Sequence, residues 1–361
     1  MTKILYKGAG SGGGGNVASR KFDEFLFWAD PSDNFTIEPV QGYRRTEDPY
    51  SYNDMRPPVL HQLWDALMAE FPDYITKDIL GMDASGEYEI ARYIVNGHEH
   101  VDNAGRPIPG RKIRIYLDCI HPELANYPHM LEFVRTVLTQ DSIPAINALK
   151  GCCTFSCIPC GNPWGLAQVN NKRQNSNGVD LNQNFPQGWY FHDAPWDMRY
   201  GGTKALSEPE TKLMYNEIVR FKPDIHISFN SHGDQGGMPN FQPHAFFWTV
   251  PPVQKSINNT IWKGHTRACV NAKNMYPSLR PAHELIELRT PSATFGNIGS
   301  GRAVDTTEAM GSISFNYEAA LTIDIAGVEG VKGSAESVTL GVMGALFTVL
   351  EGINRMMYFD E

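Results

Sequence analysis

No uninterrupted apolar stretch in the 361 residues reaches the ~18 that a membrane-spanning helix needs, so no span is expected. The opening MTKILYKGAGSGGGGN lacks an apolar segment of signal-peptide length, so no signal peptide is expected and the cytoplasm is a natural setting. Positive charge is also short. Lys and Arg number 31 against 40 Asp and Glu, for a net charge of -9. Without a basic run, such a chain is a poor match for a polyanion, and nucleic acid is not an expected partner. Finally, Cys157-x-x-Cys160 has metal-ligand spacing but no second pair like it, and a structural zinc site usually needs one. The six cysteines (Cys119, Cys152, Cys153, Cys157, Cys160, Cys269) are therefore read as thiols, reduced in a cytosol, with CCTFSCIPC on a core strand.

What is present points to one large α/β domain behind an unusual lead-in. Hydrophobic residues make up 42% of the chain, enough for a sizeable core. Residues 1–58 form a glycine-rich N-terminal arm or small packing element. The run Gly12 to Gly15, after Gly8 and Gly10, cannot hold regular structure cheaply, yet Phe22, Phe25, Phe27, Trp28 and Phe35 follow it. That much apolar surface predicts packing, on a neighbouring subunit or other protein partner in preference to the arm's own domain. Pro57-Pro58 marks the break, and residues 59–361 are the main domain.

Within that domain, VLHQLWDALMAEF repeats apolar residues with helical spacing, and HMLEFVRTVL and PETKLMYNEIVRF also read as helices. YEIARYIV, KIRIYLDCI, INALKGCCTFSCI and DIHISF read as strands, and SVTLGVMGALFTVLEGINRMM as a closing helix. Strands alternating with helices predict a mixed, mostly parallel central sheet with helices on both faces.

Four stretches, in order, carry a family resemblance. They are FPDYITKDILGMDASGEYEIARYIV; IPCGNPWGLAQVNNKRQNSNGVDLNQNF; YGGTKALSEPETKLM, in which Ser207 is placed to cap a helix; and GSISFNYEA. Together they resemble the zinc metallocarboxypeptidases over roughly residues 59–355. The resemblance implies the carboxypeptidase fold and a zinc held by two histidines and a glutamate, with a water in the open position.

The matching positions are only partly kept. His121 stands where the first ligand is expected. Leu124 takes the place of the glutamate ligand, with Glu123 one residue early, which on a helix rotates its side chain by about 100°. Asn230 takes the place of the second histidine. His226 lies four residues earlier on the same strand face, about 13 Å away, and His232 two residues later. For substrate, Asn182-Gln183 replaces the asparagine-arginine pair that grips a terminal carboxylate, and glutamine has neither the charge nor the fork for that task. Arg173 matches the arginine that helps hold the oxyanion, Glu318 the general base, and Asp305 a residue of the specificity pocket. No metal role is assigned to His98, His100, His192 or His244.

Three readings follow. The first is a pseudoenzyme: a carboxypeptidase fold with vestigial positions His121, Leu124, Asn230, Glu318 and Arg173 and no cofactor, kept as a binding or structural component. Its old cleft would take a peptide or cell-wall ligand. The resemblance extends to peptidase-like proteins of bacteria and their phages, which makes a virion, for example a phage tail or baseplate, the alternative to the cytoplasm. The second is an active zinc peptidase or amidase with a rearranged site, His121, Glu123 and His232 holding zinc and Glu318 as base. The third is a metal-free hydrolase using Glu318 and Arg173, which lacks the Lewis acid that amide hydrolysis wants.

Overall fold

The computed structural model describes residues 35–40, 56–97, 112–122, 127–168, 172–191, 194–232, 244–247, 271, 274–275, 286–289, 301–320 and 335–358, with only the backbone described at some of them, His232 and Glu318 included. Pro57-Pro58 opens a helix, α1 (Pro57–Glu70). A proline at the first helical position gives up no bond, because that N–H has no intrahelical acceptor anyway. Leu60, Trp64 and Leu67 recur on one stripe of α1 and are buried against the sheet.

The sheet has eight strands in the order β1-β2-β4-β3-β5-β8-β6-β7. β1 (Ile75–Met82) and β2 (Glu89–Val95) form an antiparallel hairpin, and β2 runs antiparallel to β4 (Cys153–Ile158). The centre is parallel: β4 with β3 (Ile113–Asp118), β3 with β5 (Ile225–His232), and β5 with β8 (Ile313–Ala320). β6 (His244–Phe247) pairs antiparallel with β8 and parallel with β7 (Ile286–Arg289). The sheet is thus mixed and mostly parallel, with helices on both faces, as the sequence predicts.

One face is covered by α1, α2 (Tyr127–Thr139), α3 (Pro144–Cys152) and the closing helix, here α7 (Ala335–Tyr358). The other is covered by α5 (Pro209–Phe221) and α6 (Ala303–Ala309). Strand alternation sorts β5 between them. Ile225, Ile227 and Phe229 enter the larger core, while His226, Ser228 and Asn230 lie buried on the α5 and α6 side. That polar row under a closed layer positions the site.

Three sequence expectations need correction or completion. INALKGC is not strand. Pro144 starts a helix that ends at Cys152, and the strand proper begins at Cys153. Thirteen residues exceed an ordinary strand, and the proline at the first helical position decides for the helix. Cys153 and Cys157 are buried on β4, burial pushes both thiols up, and Cys160 rises to about 12 for the same reason. Next, Ser207 does not cap α5. Glu208 is the capping residue, with no side-chain bond to the helix's first N–H groups. Ser207 Oγ accepts from Asn184 Nδ2 at 2.9 Å and donates to Glu208 Oε1 at 2.7 Å. Last, residues 35–40, inside the segment read as an arm, pack on the chain's own domain. Phe35 stacks on Phe347 at 4.5 Å, Ile37 and Val40 are buried, and Val40 N donates to Thr339 Oγ1 at 3.0 Å. Gly8 to Gly15, Phe22, Phe25, Phe27 and Trp28 lie outside the described residues. No helix among the described residues is long and apolar enough to cross a membrane.

Candidate active site

The chain leaves β4 at Cys160-Gly161 and is fixed at once by Asn162. Its Oδ1 accepts from Gly165 N at 3.0 Å, capping the short α4 (Pro163–Ala167). Its Nδ2 donates to the carbonyls of Lys172 (3.3 Å) and Arg173 (3.0 Å). That buried amide clamps the backbone of Arg173. The Arg173 side chain in turn gives Nε to Asp180 Oδ2 at 2.8 Å, while Asp180 Oδ1 meets His121 Nε2 at 2.9 Å.

Asp180 is the hub. Burial by itself would raise its pKa. The positive charge of Arg173, then His121 and the hydrogen bonds from both, overcome that and bring it down to about 2. An ionised carboxylate only accepts hydrogen bonds, so Nε2 of His121 carries a proton toward Asp180. Histidines that bind metals are held in this way. Asp180 Oδ1 also accepts from Asn182 N at 3.1 Å, capping the 3-10 turn Leu181–Gln183.

Asn182 ties this turn to the far end of the sequence, its Oδ1 accepting from Ala303 N at 3.3 Å. Gly301 lies against the same turn with φ +77, and a Cβ there would sit 2.6 Å from the Gln183 carbonyl. Only glycine fits such an approach. Gln183 is half-buried. Asp305 is in the first turn of α6, its Oδ2 accepting from Arg302 N at 3.3 Å, so it steadies the helix start beside Asn182.

The third ligand position is different in kind. Asn230 is 1% exposed. Its Nδ2 stands 3.5 Å from Ser228 O and 3.4 Å from Ser228 Oγ, at the limit of hydrogen bonding, and its Oδ1 has no partner. Position 230 is the register partner of Glu318 in β8, and His232 that of Ala320. Glu123 and Leu124 lie outside the described residues. His226 is not near a ligand role: it is wholly buried, with Nε2 on Asp118 Oδ2 at 3.0 Å and Nδ1 on Thr307 Oγ1 at 2.8 Å.

Zinc is held by imidazole, thiolate or carboxylate. At the expected ligand positions the described residues supply one imidazole nitrogen and one neutral amide oxygen, which does not fit the ion. Among the described residues, no three His, Cys, Asp or Glu side chains group as a metal ligand set.

A sequence profile described as zinc carboxypeptidase matches residues 60–256. The chain belongs to the zinc carboxypeptidase family. Carboxypeptidase A from Helicoverpa armigera is similar in fold, with a TM-score of 0.62 and 16% identity over 84% of this chain and 73% of that one. A metallo-carboxypeptidase from Burkholderia cenocepacia gives a TM-score of 0.56 and 16% identity, over 82% of this chain and 69% of its own. Among curated proteins, the uncharacterized protein YqgT of Bacillus subtilis is 28% identical over 102 residues, 26% of this chain and 27% of that protein. The chain therefore spans about a quarter of the length of that curated relative.

Within this zinc carboxypeptidase fold, the structure brings His121 and Arg173 together on Asp180 and sets Asn182 beside them. Asp180 carries no role in the sequence reading although it stands in the quoted GVDLNQNF. A single acid two residues before Asn182 in a stretch that buries itself was the available signal. Asp118, Ser228 and Asn316 carry none either. Their signal was a polar residue at every second position of strands whose other side chains are apolar.

Proposed function

We propose that this zinc carboxypeptidase-family chain is catalytically inactive and serves as a binding or structural component. The observation that carries the reading is Asn230: at a position where the family's chemistry needs a histidine, a neutral amide is buried and folded toward Ser228. Leu124 in the sequence removes a second ligand. His121 and Arg173 then act as the two partners of Asp180, a polar network that holds the cleft's shape. With Gln183 in place of a guanidinium, the cleft suits a peptide or cell-wall ligand without a terminal carboxylate. A protein partner or second copy engaged through the glycine-rich arm, and a phage tail or baseplate as the setting, rest on the resemblance and on the aromatic residues of that arm.

One feature favours an active, rearranged site: Asp180 orients His121 through Nε2, as a carboxylate orients metal-binding histidines. Elemental analysis of zinc-soaked protein decides between the two. Well under one zinc per chain is expected. About one zinc per chain, lost in His121→Ala and accompanied by peptide hydrolysis lost in Glu318→Gln, overturns the inactive reading. The double substitution Leu124→Glu with Asn230→His, folded in the presence of zinc, is expected to create zinc binding.

A further inference from the structure

The backbone of Gln183 is pinned from several segments, while its side-chain amide makes no hydrogen bond among the described residues. Gln183 N donates to Asp180 O at 2.9 Å, closing the 3-10 turn Leu181–Gln183. A Cβ on Gly201 would stand 2.6 Å from the Gln183 carbonyl oxygen and 3.3 Å from Gln183 Cβ, and one on Gly301 2.6 Å from the same oxygen. Asn182 Oδ1, accepting from Ala303 N at 3.3 Å, ties the turn to α6. The stem of the side chain is therefore set by the fold, and its half-buried amide is left for something else. A polar group fixed in advance loses little freedom when a ligand takes it.

The cations bound to this turn and its neighbour are matched by carboxylates. Arg173 Nε meets Asp180 Oδ2 at 2.8 Å, and His121 Nε2 meets the other oxygen of that carboxylate at 2.9 Å. Arg302, between Gly301 and Ala303, stands 3.8 Å from Asp305 Oδ2 with its side chain 9% exposed. A ligand carboxylate settling on Gln183 would shed water without gaining a cation of its own, which is unfavourable. It also brings acceptors only, and the Gln183 amide has an acceptor end as well as a donor end. A trans peptide bond points its N–H and C=O in opposite directions, so it cannot engage both ends of one side-chain amide. A primary carboxamide carries no charge and has a donor and an acceptor on one edge. It can give to Gln183 Oε1 and take from Gln183 Nε2 in a single planar pair.

We propose that Gln183 makes the cleft selective for a peptide that presents a primary carboxamide where a carboxylate would otherwise stand. This rests on the reading of the chain as a binding component whose cleft takes a peptide or cell-wall peptide. A terminal α-carboxamide and a side-chain carboxamide share the chemistry. A site built on a donor-acceptor pair rejects the analogue that lacks the donor, so the free acid of the same peptide is excluded by more than its charge.

The test is calorimetric binding of N-acetylated tripeptides to the full chain. Peptides ending in alanine, phenylalanine, lysine or glutamate are each made as primary carboxamide, N-methylamide and free carboxylate. A further set ends in a free carboxylate but carries a glutamine side chain, and its binding tells a side-chain source from a terminal one. For at least one ending, the carboxamide is expected to bind about tenfold tighter than both the N-methylamide and the carboxylate. Gln183→Arg is expected to reverse the order in favour of the carboxylate, which a guanidinium grips. Equal affinity for carboxamide and N-methylamide overturns the proposal. So does tighter binding of the carboxylate by the unmodified chain, an order unchanged in Gln183→Arg, or binding of no probe at all. If Gln183→Arg fails to fold, Gln183→Met removes donor and acceptor at nearly the same size. It is expected to erase the gap between carboxamide and N-methylamide, and a preserved gap overturns the proposal. Hydrolysis of a probe would overturn the inactive reading instead, and the affinity ratio is then read in chelator-treated protein.

Discussion

Two polar regions share the α5 and α6 face of the sheet and are built on opposite rules. At the β1-β2-β4 side, Glu217 of α5 accepts from Arg92 Nη1 at 2.6 Å, from Ser156 Oγ at 2.7 Å and from Arg220 at 2.9 Å, while Arg92 Nη2 reaches Asp78. Among the described residues this network leaves one buried atom over, Arg92 Nε. At the ends of β5 and β8, two amide oxygens are left over among the described residues, Asn230 Oδ1 and Asn316 Oδ1. A network that closes on itself serves the fold. One that stays open has been kept for a ligand or inherited from a reaction.

The sharpest way to break that contrast is Glu217→Ala. It strands Arg92, whose side chain is 11% exposed, without its buried partner. A loss of about 3–5 kcal/mol is expected in denaturant unfolding. A loss under about 1 kcal/mol would mean that the closed network contributes no more than the open one.

Asp180→Asn comes next and probes the hinge between fold and site. The pKa of Asp180 is held below its ordinary 3.8, at about 2. Its contribution is therefore complete above the ordinary value and is lost as pH falls from there through about 2. That amounts to about 2 kcal/mol. The variant is expected to lose at least that at neutral pH and to show a flatter stability profile between roughly pH 4 and pH 2. An unchanged acid limb would show that other carboxylates govern it.

The smallest effect has the opposite sign. Asn316→Leu is expected to gain about 1 kcal/mol in denaturant unfolding, because its Oδ1 has no hydrogen-bond partner and a bare buried acceptor costs roughly 1–3 kcal/mol. A loss instead would show that this oxygen is satisfied in the folded protein, and the open region would then resemble the closed one.

The two regions also differ in how far they can be read from sequence. α1 and α5 announce themselves through apolar spacing, and β3 and β5 through short apolar runs. His121, Arg173 and Asn182 follow from the motifs around them. The partners do not. Asp180 acquires its role from a histidine 59 residues away, and Asp118 from one 108 residues away, distances over which neither periodicity nor spacing carries information. INALKGC misleads because a buried helix and a buried strand are equally apolar, so one proline is the deciding signal. Phe35, Ile37 and Val40 sit among polar neighbours. What tells their packing apart from that of a mobile arm is the surface of α7 some three hundred residues later.

Gly301 carries a consequence for the order in which the molecule is made. Phe185 N donates to Gly301 O at 2.7 Å, and Gly301 N to Gln187 O at 3.1 Å, so two backbone segments more than a hundred residues apart are stitched edge to edge beside Gln183. During synthesis the turn that presents Asn182 and Gln183 must wait for residue 301 to emerge. At ribosomal speeds of about 5–20 residues per second, that is a delay of roughly 5–25 seconds. Throughout that interval β1 to β5 can assemble while their cleft wall is missing. Until then a chain that already holds β1 to β5 lacks the segment that closes the turn beside Gln183.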